Sequence, residues 1–553
     1  MNPRNRILFC LVVVVLSGIV LRFFYMQKLV GDPHFPDFGG DPCHHYSIAK
    51  NITEGNGPRT SFIFSYWFSH PDVPAVTDVY SPGPHFIMAF FIKFISNDFF
   101  GARLASFVAG VISLALIFFI GLEVSGILAG FIASLFLAFN WTHIEHSAVV
   151  MTPVITSFFI LLSVYIVLLS FRKKGYPWKV GVSLGLVQLC QSVGILLMGA
   201  YCFSVYLREG RLFLRNQRWI WPILFFMIIV MPWGIYTKVY FGKWFYSNLS
   251  FYPIVENWGR MLFETTPPQI TSYKHLFVQL LSSSMKTVRL LMNEFPGQIN
   301  VLFLIERSSS WMLIPGLLGI ILSCFRVDRL FLVLCFFGML FANILGARAL
   351  GGLLFPRHLL PCICLFYIFS GIFFSDLYKF FSSIKIKNKI KENIKTVPEV
   401  VRNFLKFAIV ISIGFTVVQN IKYSKNILRA NVPTFWMRES KSQIEGAAWI
   451  KNYTDKDSRF LYAMTPQDLS CLTDRNVVID PYLSGGTIKQ SIDAIQKYRI
   501  SYMVLDYTKE VYDRSGLPSI EIIKKVYEDL HFEELYHTST RDYYVFKISS
   551  RNK

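Results

Sequence analysis

Charge is scarce in this chain, and acid is scarcest. Charged residues make up 16% of the 553 positions, against roughly 25% in an ordinary soluble domain. Only 35 Asp and Glu stand against 55 Lys and Arg. With 53% apolar residues, 53 phenylalanines and a mean hydropathy of +0.43, a soluble globular protein is excluded. No CxxC pair occurs, so a structural zinc site lacks its usual ligand spacing. No basic stripe alternates with aromatics in a soluble stretch, so the net charge of +20 is not a nucleic-acid footprint and no nucleic acid is expected as a partner. Internal repeats and low-complexity linkers are missing too. No small-residue cleavage site follows the first apolar run, ILFCLVVVVLSGIVLRFFYM, which therefore reads as an uncleaved anchor.

What is present is a succession of apolar runs, each long enough to cross a hydrocarbon core of roughly 30 Å as a helix. Beyond residues 7–26 they fall near 102–123, 125–141, 151–171, 179–207, 219–240, 311–326, 330–347, 358–378 and 404–421. The run 179–207 is too long for one span and is polar between Gln188 and Gly194, so it reads as two short helices. The expected fold class is mainly α: a polytopic membrane helix bundle of about 11 spans. Orientation follows from the basic loops. With Arg4 and Arg6 in the cytoplasm, Arg172 to Lys174, Arg208 to Arg218, Arg326 with Arg329, and the lysine-rich run 379–406 all fall on the same side. Splitting 179–207 is required for that agreement.

Seven of the nine cysteines lie in spans, where a thiol behaves as a small apolar group. Only Cys43 and Cys471 fall outside, and the sequence does not fix their separation. Three large outside segments remain: 27–101, about 242–310, and 423–553. The last turns charged and ordinary in composition. There RFLYAM, NVVID, YMVLDY and YYVFKIS read as strands with a helix TIKQSIDAIQKY between them. The expected organisation is a transmembrane module over 1–422 and a soluble C-terminal α/β domain over 423–553, outside. In the first loop, PGPHFIMAFFIKFIS (Pro82–Ser96) is too short to span, and it reads as a helix along the interface.

One stretch of the first loop concentrates chemistry: GGDPCHHYSIAKNITEG carries Asp41, Cys43, His44 and His45. Three readings stand for it. Asp41 caps a helix, Asp41 is a catalytic carboxylate, or the cluster binds a metal. Adjacent histidines diverge on a helix, which disfavours a zinc cage.

Several segments, taken in order, resemble the GT-C glycosyltransferases, the polyprenyl-phosphate-sugar-dependent enzymes that include protein O-mannosyltransferases (glycosyltransferase family 39) and lipid A aminoarabinose transferases. They are Asp41-x4-Tyr46-x2-Ala49 before a glycine-bearing turn, YSPGPHFIMAFFIKFI followed by GARLASFVAGVI with Arg103, MPWGIYTKVYFGKWFYS, and FPRHLLP with Arg357. Together they cover nearly all of 1–420. Two positions depart from the family pattern: Pro42 stands where a second acid often follows the loop aspartate, and Val154 stands where an aspartate is expected before the fourth span. Glu145 is the nearest carboxylate that substitutes.

The resemblance implies transfer of a sugar from a polyprenyl-phosphate donor to an acceptor glycan, lipid or protein at the outer membrane face, among membrane lipids. Asp41 is the implied general base, with Glu145 as a second catalytic carboxylate. Arg357, Arg103, Ser81 and His85 are implied contacts to the donor phosphate, and Tyr46 a substrate contact. No cofactor is required. A divalent metal would share Asp41 with Glu145, His143 or His146, with Asp41, Glu145 and His146 the expected set. Bland readings stand beside these: interfacial anchors for Arg357 and Arg103, and packing for Tyr46. The expected location is a bacterial inner membrane, N-terminus cytoplasmic. The competing functions are a lipid-glycan transporter or flippase, an O-antigen ligase or polymerase, and a non-catalytic member of the fold. Mid-span ionisable groups, which a transporter needs, are nearly absent.

Overall fold

The computed structural model describes residues 2–27, 40–66, 70–172, 176–210, 219–245, 313–346, 356–383, 440–463, 465–508 and 517–550, with isolated residues between them. The chain opens with α1 (Pro3–Tyr25), whose Asn2 cap accepts from the Arg4 amide. The first loop then carries α2 (Asp41–Thr53), the two-residue strands β1 (Arg59–Thr60), β2 (Phe62–Ile63) and β3 (Ala75–Val76), and α3 (Gly83–Phe94). The bundle continues through α4 (Phe99–Ser125), α5 (Ile127–Ala138), α6 (Trp141–Ala148), α7 (Thr152–Arg172), α8 (Pro177–Cys190), α9 (Gly194–Glu209) and α10 (Ile220–Phe241). Later helices are Leu313–Cys324, Val327–Gly346 and Leu360–Ser383.

Among the described residues, six helices are long and apolar enough to cross a membrane, or seven if α5 and α6, bent by 61°, count as one span. This is an integral membrane protein. The sequence reading of about eleven also counted α8, α9 and Leu313–Cys324. These have only 14, 16 and 12 residues, or about 18–24 Å of helix. Residues 404–421 lie largely outside the described residues. The expected division of 179–207 falls between Cys190 and Gly194.

Lipid-facing helices cannot rely on water to drive them together, so close backbone approach matters. A Cβ on Gly121 of α4 would sit 2.5 Å from the Cα of Gly130 on α5, and the two helices meet through these glycines. At one end of the bundle Arg329 pairs with Asp376 at 2.5 Å, Ser125 donates to the same carboxylate at 2.6 Å, and Arg172 pairs with Glu123 at 2.9 Å. These helix ends are the ones the basic loops assign to a common side.

The other end carries α2, α3 and a sheet. At 12 residues α3 is about 18 Å long. It buries Met88, Ala89 and Ile92 against the bundle and exposes Phe86, Phe90 and Phe94 in a stripe at four-residue spacing, which suits an interfacial helix. The six-stranded sheet has the order β2-β5-β4-β6-β8-β7, built from β4 (Arg459–Tyr462), β5 (Asn476–Ile479), β6 (Tyr502–Asp506), β7 (Leu530–His537) and β8 (Tyr543–Ser550). β2, β5, β4 and β6 run parallel, while β8 and β7 are antiparallel. Helices Lys441–Tyr453 and Ile488–Lys497 each begin with a capping box. The edge strand β2 comes from the first loop, so the sheet is not built from the C-terminal segment alone. Further ties reinforce that junction: Lys50 to Asp474 at 2.5 Å, Arg459 to Asp72 at 2.6 Å, and Tyr66 Oη to the Ile479 carbonyl at 2.6 Å.

Candidate active site

Asp41 is the first residue of α2, and the capping position before it is Gly40. Pro42 therefore lies in the first helical turn, where a missing N–H costs nothing. The Asp41 carboxylate is held from outside its own helix. Its Oδ1 accepts from the Tyr80 hydroxyl at 3.0 Å, and its Oδ2 pairs with Arg357 Nη2 at 3.0 Å. Arg357 sits in the single 3-10 turn Pro356–Leu359 that enters helix Leu360–Ser383. The two side chains remain 29% and 18% exposed, so a substrate can reach them while most of the surrounding water is excluded.

Beneath this pair lies a layer of histidines. His44 is buried edge-on against Phe62 and Tyr80, with ring centroids at 4.7 and 4.8 Å, and burial, with His85 nearby, pushes its pKa down to about 3. His85 Nδ1 lies 3.0 Å from the Ser81 carbonyl and must donate to it, which leaves Nε2 bare to accept from His45 Nδ1 at 3.0 Å. His45 Nε2 in turn faces the Thr152 hydroxyl at 3.4 Å. Burial takes His85 down to about 3, and burial, His85, His44 and Arg357 together hold His45 well below its ordinary value. The chain from Thr152 to Ser81 is thus neutral, and it pins α2 to α3 and to the start of α7.

A second buried group stands on α6, which packs against the 3-10 turn of Arg357. Arg22 of α1 is fully buried and reaches His143 Nδ1 at 2.6 Å, Ser147 Oγ at 3.3 Å and the Gly18 carbonyl at 3.0 Å. His146 Nδ1 is bonded to the Thr142 carbonyl at 2.8 Å. Among the described residues the Nε2 atoms of His143 and His146 are buried with no partner, which leaves two polar atoms open to a ligand or water.

The expected residues thus divide. Asp41 and Arg357 meet. Ser81 serves through its backbone carbonyl, and His85, with both nitrogens engaged and no exposure, faces inward instead of toward a donor. Arg103 is fully buried with its guanidinium 5.5 Å from the Phe99 ring, and Tyr46 packs on the same ring at 4.8 Å. Glu145 is half-buried on α6. Arg357 pairs with Asp41, and its Nε lies 3.4 Å from His358 Nε2. Val154, at the position where the resemblance expects an aspartate, is fully buried in the apolar core. Among the described residues, no three or more His, Cys, Asp or Glu side chains are gathered in a way that could hold a metal ion. Of the expected set Asp41, Glu145 and His146, Asp41 faces the Arg357 guanidinium and the Tyr80 phenol.

Sequence reasoning missed Tyr80, Arg22 and the His45–His85 bond. Tyr80 precedes the Ser-Pro-Gly turn, and only that adjacency to a motif pointed to it.

The family model for dolichyl-phosphate-mannose-protein mannosyltransferases matches residues 72–236. Comparison with curated protein sequences found no match. Among solved structures, the oligosaccharyltransferase AglB of Archaeoglobus fulgidus, in complex with an inhibitory peptide and a dolichol-phosphate, superposes with a TM-score of 0.59 at 14% identity, over 97% of this chain and 74% of its own. ArnT of Cupriavidus metallidurans bound to undecaprenyl phosphate superposes with a TM-score of 0.57 at 11% identity, over 97% of both chains. Both are similar to this chain in fold.

Proposed function

From the premise that the chain has the GT-C glycosyltransferase fold, we propose that it moves a sugar from a polyprenyl-phosphate carrier to a hydroxyl or amine acceptor at the outer face of a bacterial inner membrane. The observation that carries this reading is the Asp41–Arg357 ion pair, a carboxylate and a guanidinium 3.0 Å apart at the end of the bundle that bears the sheet. Two similar folds have been captured with a dolichol-phosphate and with undecaprenyl phosphate, which supports a lipid phosphate as the leaving group.

In the reaction, the acceptor oxygen or nitrogen bonds to the anomeric carbon as the bond from that carbon to the phosphate oxygen breaks. Asp41 takes the acceptor proton, an effect typically worth about 10²–10⁴-fold. The lipid phosphate leaves carrying the bonding electrons. Arg357 stands beside Asp41, and its multi-donor guanidinium can turn toward the developing phosphate charge. Tyr80 holds Oδ1, which orients the carboxylate. The unpartnered His143 and His146 Nε2 atoms and buried Arg22 add polar capacity deeper in the same end of the bundle.

The test is a panel of polyprenyl phosphates bearing radiolabelled mannose, glucose or aminoarabinose, followed by release of label from the lipid. Wild type should discharge at least one donor, and Asp41→Asn should lose roughly 10²-fold or more. Full activity in Asp41→Asn would remove Asp41 as base.

A further inference from the structure

We infer that Asp468, on the C-terminal side of the molecule, is a positioning residue that caps α2 from outside and so leaves the Asp41 carboxylate available for catalysis. This rests on the proposed role of Asp41. Four observations carry it. The capping position of α2 is Gly40, which has no side chain to offer and makes no side-chain cap bond. Its φ of 91° and ψ of −67° lie where glycine alone sits without strain. Asp468 Oδ1 accepts the Gly40 amide at 3.1 Å from a side chain that is 4% exposed. Gln467 closes the junction, its Nε2 lying 2.7 Å from where a Cβ on Gly40 would stand.

A side chain at the capping position ordinarily accepts from the free backbone amides of the first turn, but that position is Gly40 and Asp41 lies one residue inside α2. Here a carboxylate from another part of the chain stands at that helix end and complements its dipole, while Asp41 turns outward to Tyr80 and Arg357. The supporting helix Pro466–Thr473 cannot drift. It is fixed by Ser470 Oγ to the Ser61 carbonyl, by Lys50 to Asp474, and by the β2–β5 pairing that follows. Removing the Asp468 carboxylate therefore frees the Gly40 peptide without dissolving the junction, and the Asp41 oxygens swing from their aim.

The experiment has two arms on the full-length chain in detergent. Hydrogen exchange of the Asp41–Tyr46 amides should rise about tenfold in Asp468→Ala and stay near wild type in Asp468→Asn, which keeps an oxygen acceptor. Gly40→Ala disturbs the same junction from the other side, and it stands in if Asp468→Ala does not accumulate. Transfer is then read with the labelled donor that wild type discharges in the panel. Asp468→Ala should lose about tenfold in kcat with donor KM little changed, Asp468→Asn should restore it, and Asp72→Asn, which breaks a remote tie of the same junction, should leave it unchanged. In an Asp41→Asn background Asp468→Ala should cost nothing more, since it acts through Asp41. Unchanged exchange, or losses that multiply in the double variant, would overturn the inference. A silent Asp41→Asn would overturn the proposed function instead, while the exchange arm still decides the cap.

Discussion

Replacing Arg357 tests the site most directly, because one side chain is assigned to both the base and the leaving group. A hydrogen bond to a charged group is worth about 1.5–3 kcal/mol when its loss leaves the partner desolvated. With Asp41 29% and Arg357 18% exposed, solvent screens part of that, so the lower half of the range applies. About 1.5–2 kcal/mol corresponds to a loss of roughly 10–30-fold in transfer for Arg357→Ala. Folding should hardly notice, since a partly exposed ion pair contributes about 0–1 kcal/mol to stability. Arg357→Lys keeps the charge but not the planar fork, and should fall between alanine and wild type. The assay is the initial rate of label release in proteoliposomes at matched protein, with thermal unfolding in detergent as the control for folding. If alanine and lysine variants both turn over like wild type, Arg357 has no part in the chemistry. If both lose thermal stability in proportion to activity, its role is structural.

Acid should weaken the protein through its histidine layer. His44 and His85 are held near 3, so between about 3 and the unfolded value of about 6.5 the unfolded chain binds more protons. Stability therefore falls as pH drops from 6.5 toward 3, by up to about 1.4 kcal/mol per pH unit for each group. His85→Gln should flatten the melting temperature against pH, and a slope identical to wild type would refute the assignment. His45→Ala should lower the melting temperature, because it strands His85 Nε2 and the Thr152 hydroxyl. Transfer by the folded fraction should be far less affected than in Asp41→Asn. A reporter fused after Lys395 should report cytoplasm and one after Asp480 the outside, and the same side for both would mean the span count is off by an odd number.

Much of this was legible in local pattern. Apolar length gave the six or seven spans among the described residues, and the polar break at Gln188–Gly194 announced the gap between α8 and α9. Alternation gave β4, β5, β6 and β8. Asp41 and Arg357 were legible only as members of motifs, since nothing in either local sequence says that they touch. Tyr80 and Asp468 were invisible because their roles depend on which distant backbone or carboxylate comes to meet them. β2 was invisible for another reason. Two residues, Phe62 and Ile63, carry no period, and the partner that makes them a strand is Val477 with Val478. Val154 reads as a lost acid in the sequence and as core packing in the fold.

The join between the first loop and the last domain also puts a clock on the protein. Gly40 and Asp468 are 428 residues apart, and chains grow at roughly 5–20 residues per second, so the two are made roughly 20–90 s apart. For that interval the first loop has neither the external cap of α2 nor the sheet partner of β2. The nascent protein is an inserted bundle whose reactive loop is not yet set. On the proposed role of Asp41, a ribosome that stalls or a chain cut short before β5 leaves behind a loop whose carboxylate is not yet aimed, and competence at the membrane surface waits for β5 to be made.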